Sequence, residues 1–121
     1  MKPLTKNIIK PLIKPRQELA SKADYGHAFI IAGNIKKMGA AVIAAKACLR
    51  TGCGLLTINL PKAERFILQT TVPESMVLFR ESIENNLYKF SAVGVGPGIG
   101  ITKESKKFLM HLFKNIKIPM L

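Results

Sequence analysis

Short apolar runs alternate with helix-like segments along this chain, and that alternation constrains the fold more than any other feature. HAFIIAG (27–33) is apolar and ends in Gly, which suits a strand buried on both faces. GLLTINL (54–60) and SAVGVG (91–96) read as two further strands, and ESMVLF (74–79) is compatible with another short one. Between them, MGAAVIAAKACLRTG (38–52) is rich in Ala and Leu and stops at Gly52, the pattern of a helix with a C-terminal glycine. Its only charges, Lys46 and Arg50, stand at i and i+4 and mark one narrow wet stripe, so burial on most sides is expected. PKAERFILQTTV (61–72) opens on Pro at a helix-start position and predicts a second helix. TKESKKFLMHLFKNI (102–116) predicts an amphipathic helix with Phe108, Leu109, Leu112, Phe113 and Ile116 on one face and Thr102 as its N-cap. ENNLYKF (84–90) reads as a turn or helix fragment, and IPML (118–121) as the opening of another strand.

Repeated strand–helix–strand units imply right-handed crossovers and a parallel sheet covered by helices, an α/β fold. Ligands on such sheets sit at the carboxyl ends of the strands. Two glycine-bearing turns fall at such ends: AGNIKKMGAA (32–41) after the first strand, and GVGPGIG (94–100) after a later one.

GVGPGIG matches neither common phosphate fingerprint. A P-loop needs Gly-Lys-Ser/Thr at the helix start, whereas Ile101 and Thr102 follow Gly100. The dinucleotide pattern needs a third glycine three residues after the second, and position 99 is Ile. Glycines at a strand-to-helix turn still permit close approach of a ligand, and the following helix offers free N–H groups to an anion. A tight packing turn with no ligand accounts for the glycines equally well. The same two readings apply to Gly39, Ala40 and Ala41, where close helix–sheet packing is the stronger one. Asp24 and Glu74 lie at element boundaries and suit caps or salt bridges better than catalysis. Lys22, near Asp24 and Tyr25, is a candidate to hold the preceding segment against the sheet, and His27 reads as structural.

The formal charge of +12, from 19 Lys and Arg against 7 Asp and Glu, attracts anions such as nucleic acid, acidic membrane surfaces or phosphorylated small molecules. Arg, the usual bidentate partner of phosphate and guanine, occurs only at Arg16, Arg50, Arg65 and Arg80, and no Trp is present, so nucleic acid is disfavoured as a partner. Cys48 and Cys53 are too few for a disulfide framework or a metal site and are expected to be reduced. His27 and His111 are too isolated to suggest a metal. No apolar run reaches the roughly 18 residues of a membrane span, and lysines and prolines interrupt the first residues, leaving no signal-peptide core. Residues 1–21 form a basic arm or linker that Pro3, Pro11 and Pro15 keep from becoming a long helix, with room for one short turn around Ile8–Ile9; residues 22–121 form the folded part.

Six linked segments resemble the N-terminal half of the ADP/ATP-dependent NAD(P)H-hydrate dehydratases, a family with a ribokinase-like fold. They are a Lys-x-Asp-aromatic-Gly opening (Lys22, Asp24, Tyr25, Gly26), a strand closing in Ala32-Gly33, and a Gly39-Ala40-Ala41 helix start. Arg50, Gly52, Gly54 and Leu55 follow, then Pro73, Glu74 and Met76, then the loop from Gly96 to Gly100. Asn34 departs from the pattern, which has Ser there, and Lys36 and Lys37 add charge to a usually less charged loop.

The resemblance implies an incomplete three-layer parallel-sheet sandwich and an enzyme that repairs hydrated NADH or NADPH. The hydrate hydroxyl is phosphorylated by ATP or ADP, with Mg, and phosphate is then eliminated. It implies a substrate wall of Gly39, Ala40, Ala41, Gly96, Gly98 and Gly100, and it places the nucleotide site and the catalytic Asp beyond residue 121. The chain by itself is therefore expected to be an inactive fragment, whether a piece of a longer chain, a split subunit or a truncated gene product. A homo-oligomer or a missing C-terminal half is expected as partner, and a cytoplasmic location without membrane contact. A non-catalytic basic module binding nucleic acid or an acidic partner, and a fragment of another ribokinase-like small-molecule kinase, stand as alternatives.

Overall fold

A computed structural model describes residues 3–13, 15–82 and 87–121. Four strands, β1 (His27–Ile31), β2 (Leu55–Leu60), β3 (Met76–Phe79) and β4 (Ala92–Val95), form one sheet of order β3-β2-β1-β4. Every pairing is parallel, with Phe29 opposite both Thr57 and Val93. The helices are α1 (Lys6–Ile9), α2 (Met38–Arg50), α3 (Arg65–Thr71) and α4 (Lys103–Asn115). The α/β fold predicted from the alternation is the fold observed.

Alternation along the strands divides the core. Ala28, Ile30, Leu56, Ile58 and Leu60 face one side, where they meet Met38, Ala41 and Ala45 of α2 and Leu68 of α3. Phe29, Ile31 and Val93 face the other, with Leu112 of α4, Phe90 and Ile99. Phe29 and Phe90 stack with ring centroids 4.3 Å apart. Fully burying a side chain such as Phe29, Ile58 or Leu68 contributes about 1.5–3 kcal/mol, which is why both sheet faces must be covered.

Three expectations need correction. The helix α2 buries one face, not most of its sides: Ile43 is 72% exposed and Ala47 also faces water. Its main contacts are with the sheet and α3, on its inner face. On α4, Leu112 is buried and Phe108, Leu109 and Ile116 pack on the core, but Phe113 is 63% exposed. Nor does Lys22 fasten the arm. Arg16 does so by stacking over Tyr25 at 4.9 Å, and the Tyr25 hydroxyl accepts from the Gln17 N–H at 2.7 Å. Lys22 sits in a 3₁₀ turn (Lys22–Tyr25) capped reciprocally by Ser21 and Asp24, the capping role expected of that acid.

The arm holds the short turn anticipated around Ile8–Ile9, as α1 and a following 3₁₀ turn (Lys10–Leu12). Of the fragment at 84–90, residues 84–86 lie outside the described residues, and Leu87–Lys89 form a 3₁₀ turn. At the other end, Met120 bridges Val93 in parallel, the opening of a further strand.

Candidate functional site

The chain runs outward from β1 to β2 and β3, then returns to place β4 on the opposite side of β1. That reversal leaves a crevice at the carboxyl ends of β1 and β4, the usual ligand position in an open parallel sheet. Both glycine-bearing turns end there. The Gly33 N–H donates to the Pro97 carbonyl at 2.8 Å, and Asn34 Nδ2 donates to the Ile99 carbonyl at 3.1 Å. Ser105 Oγ, on α4, donates to the same carbonyl at 2.8 Å. The loop after β4 is therefore clamped between the end of β1 and the first turn of α4.

The candidate wall residues fall into two groups, packed and open. A Cβ on Gly98, whose φ is +72°, would lie 2.8 Å from the Ala40 Cβ and 3.0 Å from the Lys37 carbonyl oxygen, so these two turns pack on each other. Gly39 and Gly96 meet nothing within 4 Å of such a Cβ and leave open space. Gly100 faces Asn34 Nδ2 at 3.4 Å. Ala41 is fully buried in the core beneath α2, so packing holds that position rather than an open wall.

Beside this crevice, along the same edge of the sheet, lies a cavity of about 430 Å³. Asn34, Arg80, Glu81, Ile99, Glu104 and Phe108 are among its walls. Arg80 follows β3 directly. Its Nε donates to Asn59 Oδ1 at 3.2 Å, and its Nη2 donates to the carbonyls of Ala32 at 3.2 Å and Asn59 at 3.3 Å. One guanidinium thus ties together the carboxyl ends of three strands. It also lies 5.7 Å from the Phe108 ring centroid. Burial lowers its pKa, opposed by the charge of Glu81, without threatening an ion as basic as guanidinium.

Asn59 is fully buried, and its Nδ2 donates to the Leu78 carbonyl at 3.2 Å, so each end of the amide is satisfied. Both Glu81 carboxylate oxygens accept from the Lys62 N–H at 3.2–3.3 Å. Glu104 is held below the usual carboxylate range by its own backbone N–H and then by the Thr102 hydroxyl. Among the described residues no three His, Cys, Asp or Glu gather as metal ligands, and no helix is long and apolar enough to cross a membrane.

Residues 28–121 match the family described as NAD(P)H-hydrate dehydratase. The chain belongs to this family. An ADP-dependent (S)-NAD(P)H-hydrate dehydratase of Listeria monocytogenes is 36% identical over 104 residues, which are 84% of this chain and 38% of the relative. A counterpart in Lactococcus lactis is 32% identical over 103 residues, again 38% of its length. In structure, a ribokinase-like superfamily protein of Enterococcus faecalis superposes with a TM-score of 0.85 at 26% identity, covering 94% of this chain and 41% of that one. The ADP/ATP-dependent NAD(P)H-hydrate dehydratase of Bacillus subtilis, co-crystallised with ATP and Mg²⁺, superposes at 0.81 with 22% identity and supports the ribokinase-like fold. This dehydratase-family chain thus spans about two fifths of the length of such relatives.

Sequence reasoning missed Arg80 and Asn59. The available signals were a polar Asn inside the apolar run GLLTINL and an Arg closing the run MVLF. Both mark buried polar groups that require partners. His27 is structural as expected: Nε2 pairs with Thr57 Oγ1 at 2.8 Å, and burial followed by the nearby Lys89 charge lowers its pKa. Cys48 and Cys53 are free thiols, half-buried, with sulfurs 3.5 Å apart. Burial, followed by the Cys53 hydrogen bond, pushes the Cys48 thiol up to about 12, which makes it a poor nucleophile.

Proposed function

We propose that this chain supplies the substrate wall of an enzyme that returns hydrated NADH or NADPH to the normal dinucleotide at the expense of ADP or ATP. The reaction phosphorylates the hydrate hydroxyl and then eliminates phosphate, which carries away the hydroxyl oxygen. One observation carries the reading: in a chain of the dehydratase family, the bare turns at Gly39–Ala40 and Gly96–Gly100 converge at the carboxyl edge of the sheet, where β1 and β4 end side by side.

Gly39 and Gly96 leave space for a flat ring against the backbone, while Gly98 on Ala40 fixes the distance between the two turns. Chemistry demands more than this wall. The hydroxyl must lose a proton, yet Glu81 and Glu104, the carboxylates at the cavity, already accept backbone N–H groups. We therefore assign the proton acceptor and the nucleotide site to the portion that relatives carry and this chain does not, and expect the 121-residue chain alone to be inactive.

Two measurements test the reading. NADPH should slow hydrogen exchange at residues 36–41 and 96–100 of the isolated chain, with little dependence on salt. The chain fused to the remaining segment of the Listeria monocytogenes relative should recover NADPH from its hydrate with ADP or ATP. A folded fusion inactive with both nucleotides, and no protection by NADPH, would overturn the assignment.

A further inference from the structure

Arg80 spends only part of its hydrogen-bonding capacity on the protein. A guanidinium carries five N–H donors. Nε and Nη2 reach Asn59 and Ala32, while Nη1 has no acceptor among the described residues. The neighbours that fix the group by hydrogen bonds are carbonyl and amide oxygens, and Glu81 acts on it through its charge without a hydrogen bond among the described residues. Half-burial beside Phe108 and Ile99 removes much of the water that would otherwise serve. A cation held in this way, at a cavity wall, suits an anionic oxygen better than a neutral ligand.

The same cavity exposes two carboxylates, Glu81 and Glu104, that would repel a bare phosphate. Carboxylates suit hydroxyl donors, as in ribose recognition by acidic side chains. A ligand offering both a phosphate oxygen and sugar hydroxyls satisfies all three groups at once. We infer that Arg80 anchors the phosphate of a sugar-phosphate subsite, with Glu104 and Glu81 receiving sugar hydroxyls. The inference deepens the dinucleotide reading above and rests on it, because a dinucleotide contains two such sugar phosphates. It adds a subsite that adjoins the glycine turns through Asn34 and Ile99.

The test uses the 121-residue chain and three probes: inorganic phosphate, ribose, and ribose 5-phosphate. Amide chemical shifts are followed during titration. Ribose 5-phosphate should perturb residues 80–81 and 104–105 and bind about tenfold more tightly than phosphate or ribose alone. Arg80→Lys, checked for folding by circular dichroism, should weaken ribose 5-phosphate about tenfold, since an ammonium loses the planar fork. Glu104→Gln, a surface change, should weaken ribose 5-phosphate but not phosphate, and it decides the matter if Arg80→Lys does not fold. No shift at these residues, equal binding of all three probes, or an unchanged preference in Glu104→Gln would overturn the proposal. The two readings fail separately. NADPH protecting the glycine turns without any effect of Arg80→Lys sinks the subsite alone. Arg80-dependent ribose 5-phosphate binding, beside a folded but inactive fusion and no NADPH protection of the glycine turns, sinks the dehydratase reading alone.

Discussion

Gly98 and Gly39 separate two reasons for a glycine that look identical in a sequence. At Gly98 the backbone φ is +72°, and a side chain would collide with Ala40 and the Lys37 carbonyl, so packing demands the residue. Gly39 lies in the first turn of α2 with open space around it, so nothing in the chain itself demands it. Gly98→Ala should therefore lose about 1–3 kcal/mol of stability, from backbone strain and the displaced turn. Gly39→Ala should be neutral or stabilising by up to about 1 kcal/mol, because Ala is the better helix former. Urea denaturation of both variants measures this contrast. Equal losses would show that the two turns do not rest on each other as described. If Gly39 is kept free for a ligand, Gly39→Ala should still weaken NADPH protection of residues 36–41 while leaving the fold intact. Neither distinction was legible from GVGPGIG or MGAA, since spacing reveals that side chains are missing but not what fills their place. Arg80 was illegible for a related reason: its partners, Ala32 and Asn59, lie 48 and 21 residues away in the chain.

Local rules wrote most element boundaries into the sequence. Thr102 was readable as an N-cap because a hydroxyl residue precedes a helical pattern, and its Oγ1 accepts from the Ser105 N–H at 3.2 Å. This cap does more than start α4. Ser105 Oγ holds the Ile99 carbonyl, so fraying the first turn would release the loop after β4 as well. Thr102→Ala should cost about 1 kcal/mol, and Thr102→Ser should restore most of it. Amide exchange distinguishes a local from a shared effect: in Thr102→Ala, residues 99–101 should exchange faster together with 103–106. If only the helix residues quicken, the cap and the loop are uncoupled. The exposed outer face of α2 was the reading that failed at this scale. Ala is apolar enough to pass for core and small enough to sit at the surface at little cost, so AVIAAKA carries no clear inside or outside.

At the scale of the molecule, the strand–helix alternation gave a parallel α/β sheet but not the order of its strands. Order depends on which side of β1 the chain takes when it returns as β4, and no local pattern records that choice. The crevice that locates the candidate site follows from this order alone. The outer edge of β4 also shows what the sheet requires of its neighbours. Val93 and Val95 donate to the carbonyls of Pro119 and Leu121, each at 2.9 Å, and the Leu121 N–H returns to the Val93 carbonyl at 2.9 Å. These bonds cover the edge of a strand whose carboxyl end carries the glycine loop. Removing residues 119–121 would expose the unpaired donors of Val93 and Val95, and such an edge is a template for pairing with other chains. The shortened protein should melt at a lower temperature and form more aggregate on light scattering as concentration rises. Its loop at 96–100 should also exchange faster, because Val95, the residue before Gly96, loses its bond to Leu121. Melting and scattering unchanged from the full chain would mean that these three bonds leave β4 no better protected than water does.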